Sequence, residues 1–128
     1  MSTATALDRA FPRRTRQTIA RERFLRRRRS LAAVVEGVLD PRYPQRHGLR
    51  PWPRIPHANR AAVVEPLERI VALLREPAIT IPDRTLRRIM AFVTDPASPG
   101  YSQYPNQAGF AAYALLEEAS AHTDRVAL

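Results

Sequence analysis

Apolar residues recur at helical spacing in four stretches of this chain. In the first, Leu31, Val34, Val35, Val38 and Leu39 fall within an arc of about 140° on a helical wheel, enough for one core-facing stripe. Ser30 is placed to cap the start of that stripe. Asp40-Pro41 stops it, because the residue before a proline is pushed out of helical geometry. In the second stretch Val63, Val64, Leu67, Ile70, Val71 and Leu74 share one side, opposite Glu65, Glu68, Arg69, Arg75 and Glu76. Its start is expected either at Asn59 or at Pro66, and Pro77 ends it. The third runs from about Pro82 to Thr94, with Leu86, Ile89, Met90 and Val93 turned to the core. The fourth begins after Asn106, a good N-cap, and extends to about Ala121 with apolar residues all round, so it reads as a central helix or one shared with a partner. No period-two alternation occurs beyond Ile79-Thr80-Ile81, which reads as a linker. The expected fold class is all-α: a small bundle of three to four helices, about 60–76, 82–94 and 106–121, with the helix at 30–39 packed against it.

The segment ahead of Ser30 lacks such a stripe. Arg13, Arg14, Arg16, Arg21, Arg23, Arg26, Arg27, Arg28 and Arg29 spread around the wheel, and Ile19, Phe24 and Leu25 do not line up. A helix polar on every side has nothing to drive its packing, and like charges at i,i+4 oppose it further. Residues 1–12 read as a flexible tail, and from Arg13 the chain could be helical as far as Leu39, although the two halves of that stretch differ. Residues 1–29 are therefore expected to be a separate arm, frayed when free and helical on an acidic partner, while 30–128 form one domain. Within that domain, Pro41, Pro44, Pro51, Pro53 and Pro56 mark residues 40–58 as a stiff polyproline-like strap, anchored by Trp52.

Charge sharpens this division. Residues 1–60 carry 15 arginines against four acids, a balance of +11, whereas residues 61–128 carry six against eight, a balance of −2. All 21 basic residues are arginine, which points to a codon bias, but such a bias does not place them in one half. The leading expectation is a non-enzymatic protein whose arm, Arg13 through Arg29, binds DNA or RNA phosphates. Guanidinium groups pair with phosphate in a bidentate manner and bind largely without regard to sequence. The alternative is an interaction or assembly module whose arm docks on an acidic protein and whose last helix completes a homo-oligomer. Poor amphipathicity argues against membrane insertion.

Three weaker motifs stand beside the arm. Arg84, Arg87 and Arg88 share the outer side of the third helix, a secondary basic face that could read a major groove if residues 66–76 and 82–94 were a helix-turn-helix. Against that, the connector Pro77 to Ile81 is longer than usual and has no glycine. Arg50-Pro51-Trp52-Pro53-Arg54-Ile55-Pro56 fits an R-x-x-P-x-x-P ligand, although a strap laid across the helices explains it better. Tyr101, Tyr104 and Phe110 could stack bases, but aromatics beside a proline-rich loop are expected to close the edge of the core.

Catalytic and cofactor readings find little support. The chain has no lysine and no cysteine, which removes P-loop and Schiff-base lysines, disulfides and thiolate metal sites. His47, His57 and His122 lack metal-ligand spacing, and the adjacent Glu117 and Glu118 point to different sides of their helix. No catalytic residue, metal or cofactor is expected. No apolar run approaches the roughly 20 residues that span a bilayer, and the apolar stretch after Arg29 is short and holds Glu36, so no secretion signal is read. The Arg-rich, Ser/Thr-containing start has a transit-peptide flavour that Asp8 and Glu22 interrupt. A reducing cytoplasm fits these features.

Overall fold

The computed structural model describes the backbone of residues 12–40, 42–48 and 53–127, and the side chains of 16–40, 42, 43, 45–48 and 53–121. Every regular element among them is helical: α1 (Pro12–Leu39), α2 (Tyr43–His47), α3 (His57–Arg75), α4 (Asp83–Thr94), a short 3₁₀ turn (Pro99–Tyr101) and α5 (Pro105–Ala127). The chain is all-α. The tail at 1–11 and the anchor Trp52, with the Arg50–Trp52 half of the R-x-x-P-x-x-P match, lie outside the described residues.

Four of these helices close into a bundle. α1 packs on α3 and α4, and α5 packs on the same two helices from the other side. The pairs α1/α5 and α3/α4 sit across the bundle, with no close approach among the described residues. The core fills the space between them with Val35, Val38, Val63, Leu67, Ile70, Leu74, Ile89 and Val93, all at most 1 % exposed. Ile81, from the linker after α3, is fully buried there as well. This arrangement rules out a helix-turn-helix at residues 66–94, because in that motif the two helices hold each other directly. Here α3 and α4 are diagonal partners.

α1 is one unbroken helix of 28 residues. Pro12 suits its first position, where a missing N–H costs nothing. Arginine, alanine, leucine and glutamate, which dominate the rest of the helix, lose little side-chain freedom in that geometry. The expected start at Ser30 is thus corrected: Ser30 is an exposed mid-helix residue, and the helix runs straight through the expected boundary between residues 29 and 30. Tertiary packing explains the difference. Phe24 packs against the core and Arg28 is 1 % exposed, so the stripe begins about two turns earlier than the aliphatic residues suggest.

Residues 40–58 are only partly extended. Residues 53–56 are non-helical, with Ile55 buried, but Tyr43–His47 forms a short helix in which the Tyr43 and His47 rings stack at 4.0 Å. Pro44 is tolerated because it falls in the first turn, where backbone donors have no helical partner. Gly48 follows at φ 63°, the left-handed position that ends such a turn.

α3 starts at His57 and passes through Pro66 without restarting. Pro66 is itself buried, and Val63, Leu67 and Ile70 hold both sides of it against the core. Asn59 therefore lies inside the helix rather than capping it. α5 begins one residue ahead of Asn106, with Pro105 in its first turn. It buries Ala108, Ala112, Leu115, Leu116 and Ala119 on one face only, so it is a wall of the bundle and not its centre. The alanines and Gly109 let α3 come close: a Cβ at Gly109 would lie 3.2 Å from the Ala62 Cβ.

The loop ahead of α5 is fastened at both ends. Ser98 donates its hydroxyl to the Phe92 carbonyl (2.6 Å), and Tyr101 shares its hydroxyl proton between the carbonyls of Val93 and Pro53. Burial raises the Tyr101 hydroxyl pKa. At Gly100 a Cβ would stand 3.0 Å from the Phe92 carbonyl oxygen and 3.2 Å from its ring. Gly100→Ala is accordingly expected to destabilise the fold by about 1–3 kcal/mol, the usual cost of overpacking. A shift of the urea midpoint toward lower concentration, at unchanged slope, is the expected reading; an unchanged midpoint refutes it.

Candidate nucleic-acid interface

The arginines of α1 fall into three groups. Arg16, Arg21, Arg23, Arg26 and Arg29 are exposed and have no ion-pair partner among the described residues. Arg27 is exposed and bonds Asp83 at the start of α4 (Nη2 to Oδ1, 2.8 Å). Arg28 is enclosed. Arg13 and Arg14 belong to the helical backbone of α1, and their side chains lie outside the described residues.

Arg28 is the largest departure from the sequence reading. Its Nη1 donates to the Ile79 carbonyl (2.7 Å), and its Nη2 donates to those of Leu73 (2.8 Å) and Glu76 (2.9 Å). Those carbonyls belong to the C-terminal end of α3 and the linker beyond it, where the helix dipole is negative and turn-type bonds from the Glu76 and Ile79 N–H groups leave lone pairs of Leu73 and Glu76 to spare. Phe24 lies beneath the guanidinium, 6.0 Å from ring centre to carbon. Burial lowers the Arg28 pKa and the charge of Glu76 raises it in part, but a guanidinium keeps its proton in such a setting. Arg28 is occupied as a clamp between α1 and α3 and is unavailable to a phosphate.

Counted from Arg16, the arm stands free for about two turns before the clamp. Residues 16–23 are exposed except Thr18, which is half-buried. Placed at 3.6 residues per turn, the five unpaired arginines cover about 220° of the helix circumference. The remaining arc continues the core face.

The secondary basic face is divided. Arg84, Arg87 and Arg88 are all exposed, yet Arg87 turns to Asp83 (3.0 Å) and Arg88 crosses to Glu118 of α5 (2.7 Å). Only Arg84 carries no ion pair among the described residues. The aromatics also separate. Tyr101 closes the core edge as expected, whereas Tyr104 is 56 % and Phe110 78 % exposed, which corrects their expected burial. They sit on the outer side of α5 and its leading loop, away from the bundle interior. Among the described residues no group of three His, Asp or Glu side chains gathers in a way that would hold a metal ion. None of the described helices is long and apolar enough to cross a membrane.

Fold and charge together define a four-helix bundle with a cationic helical extension. No protein-family model, curated protein or solved structure matches the chain.

Proposed function

We propose that the protein binds nucleic-acid phosphates through the helical arm of α1. The observation that carries this reading is the distribution of Arg16, Arg21, Arg23, Arg26 and Arg29, exposed, without ion-pair partners among the described residues, and spread around most of the circumference of a preformed helix. A flat acidic protein surface meets one side of a helix. A major groove encloses a helix between two phosphate walls, so arginines on several sides are all used. Because the arm is already helical, little ordering entropy is lost on binding. Arg84 on α4 is a further point of phosphate contact.

Five neutralised phosphates give a slope of log affinity against log salt near −4.5, or about a 500-fold loss between 50 and 200 mM. Titration of a 20-base-pair duplex at those two concentrations measures it. The triple variant Arg16→Gln/Arg21→Gln/Arg23→Gln is expected to lower the slope by about one per arginine, similarly for unrelated sequences. No binding at 50 mM salt, or equal binding by the variant, refutes the proposal.

A further inference from the structure

A trough of about 670 Å³ runs between α1 and α4, open to solvent and separate from the free end of the arm. Its floor is aliphatic: Leu31 and Val34 from α1, Leu86 and Met90 from α4. Its rim is cationic, with Arg23, Arg26, Arg27 and Arg87 around it. One acid, Asp83, lies among them, held by Arg27 on one oxygen and Arg87 on the other. The four arginines and that aspartate leave the rim at +3. Ser30, exposed, lines the trough between the charged and apolar parts.

We infer that this trough docks an acidic amphipathic helix of a partner protein. Three features decide the occupant. The charge excess asks for about three carboxylates, which a helix supplies at i, i+3, i+4 spacing and a single fatty-acid head does not. The floor has no aromatic ring on which a base could stack, so single-stranded nucleic acid finds phosphate partners but no platform. The lining of α1 from Arg23 to Val34 spans about 16 Å, three helical turns, which matches a helix laid along it with anchors at i, i+3/i+4 and i+7. Met90, with its adaptable thioether, lets the floor conform to such anchors.

The site shares Arg23 and Arg26 with the phosphate reading but also needs Arg27, Arg87 and the aliphatic floor, so variants at those positions and at Arg16 and Arg21 distinguish the two. The test is a displayed library of random 16-residue peptides selected on the full chain. Enrichment of sequences that combine Asp or Glu with leucine-like residues at helical spacing is expected. A selected peptide should bind Ser30→Trp, which plugs the trough from an exposed position, at least tenfold more weakly. Arg27→Gln/Arg87→Gln should weaken it as much, and thermal melts of both variants should stay cooperative. Arg16→Gln/Arg21→Gln, which tests the arm, should leave peptide affinity unchanged. The inference is overturned by no enrichment, by enriched peptides without acids, or by a selected peptide that binds the plug or the double-glutamine variant as tightly as the unaltered chain. It is also overturned if oleate or a 12-nucleotide poly-dT binds the trough in a Ser30→Trp-sensitive way while no peptide does.

Discussion

Arg28→Met is expected to destabilise the bundle by about 2–4 kcal/mol, because it removes three charge-assisted hydrogen bonds from a buried site. Methionine retains the apolar stem over Phe24 but none of the donors. The carbonyls of Leu73, Glu76 and Ile79 then lose a charge-assisted partner together; Leu73 and Glu76 keep one backbone donor each, from Glu76 and Ile79, so the loss falls on their second lone pair and on the Ile79 carbonyl. A domain of this kind is stable by only about 5–15 kcal/mol, so the loss is a large fraction of the whole. Arg28→Lys keeps the charge, but a compact ammonium does not span three acceptors as a planar fork does, so less than half of the loss should be recovered. Urea unfolding followed by circular dichroism measures both. A loss for methionine below about 1 kcal/mol would mean that the remaining backbone donors and water satisfy the three carbonyls, and the clamp would be ornamental. The effect bears on function too, because the arm is the direct continuation of the helix that Arg28 fixes. Loosening that joint should blunt the duplex affinity of the arm as well as the stability of the bundle.

The same residue shows how far the sequence could be read. Arg28 sits three, four and seven residues before Leu31, Ala32 and Val35, which places it on the core stripe of a helical wheel. The position was therefore legible, but arginine is rarely fully buried without a dedicated set of acceptors. Those acceptors are backbone carbonyls from residues 73–79, and nothing in side-chain pattern announces an exposed helix end 45 residues away. The helices α3 and α4 were legible for the ordinary reason that their aliphatic spacing is strict and proline bounds them. A helix from Arg13 to Leu39 was legible as a possibility, but not that its N-terminal half would be helical without a partner, since that half has no stripe of its own and gains its helix by extension from the packed half. Phe110 misled in the other direction: a large aromatic reads as core, yet small residues, Ala108, Gly109 and Ala112, are what α3 requires at its closest approach. The trough between α1 and α4 depends on two helices far apart in sequence being neighbours, a pairing that periodicity does not specify.

Asn59→Asp is expected to be the other severe substitution, costing about 3 kcal/mol or more at neutral pH. Asn59 is 1 % exposed and donates both amide protons, one to the Gly100 carbonyl (3.0 Å) and one to that of Ser102 (2.8 Å). It thereby ties the first turn of α3 to the 3₁₀ turn ahead of α5. A carboxylate of the same shape offers no donor and faces two carbonyl oxygens in a dry site. Asn59→Ala removes the donors without adding charge and should cost less, about 1–3 kcal/mol. The two variants separate most clearly in their pH dependence. The introduced carboxyl folds more readily when protonated, so its folded pKa lies above the unfolded value of about 3.9. Between those two values the folded state holds the extra proton, and stability falls as pH rises. The aspartate variant should therefore lose stability relative to the alanine variant as pH goes from 4 to 7. Parallel loss curves for the two variants would show that the carboxylate escapes to water, and that the joint between α3 and the 3₁₀ turn opens at little cost.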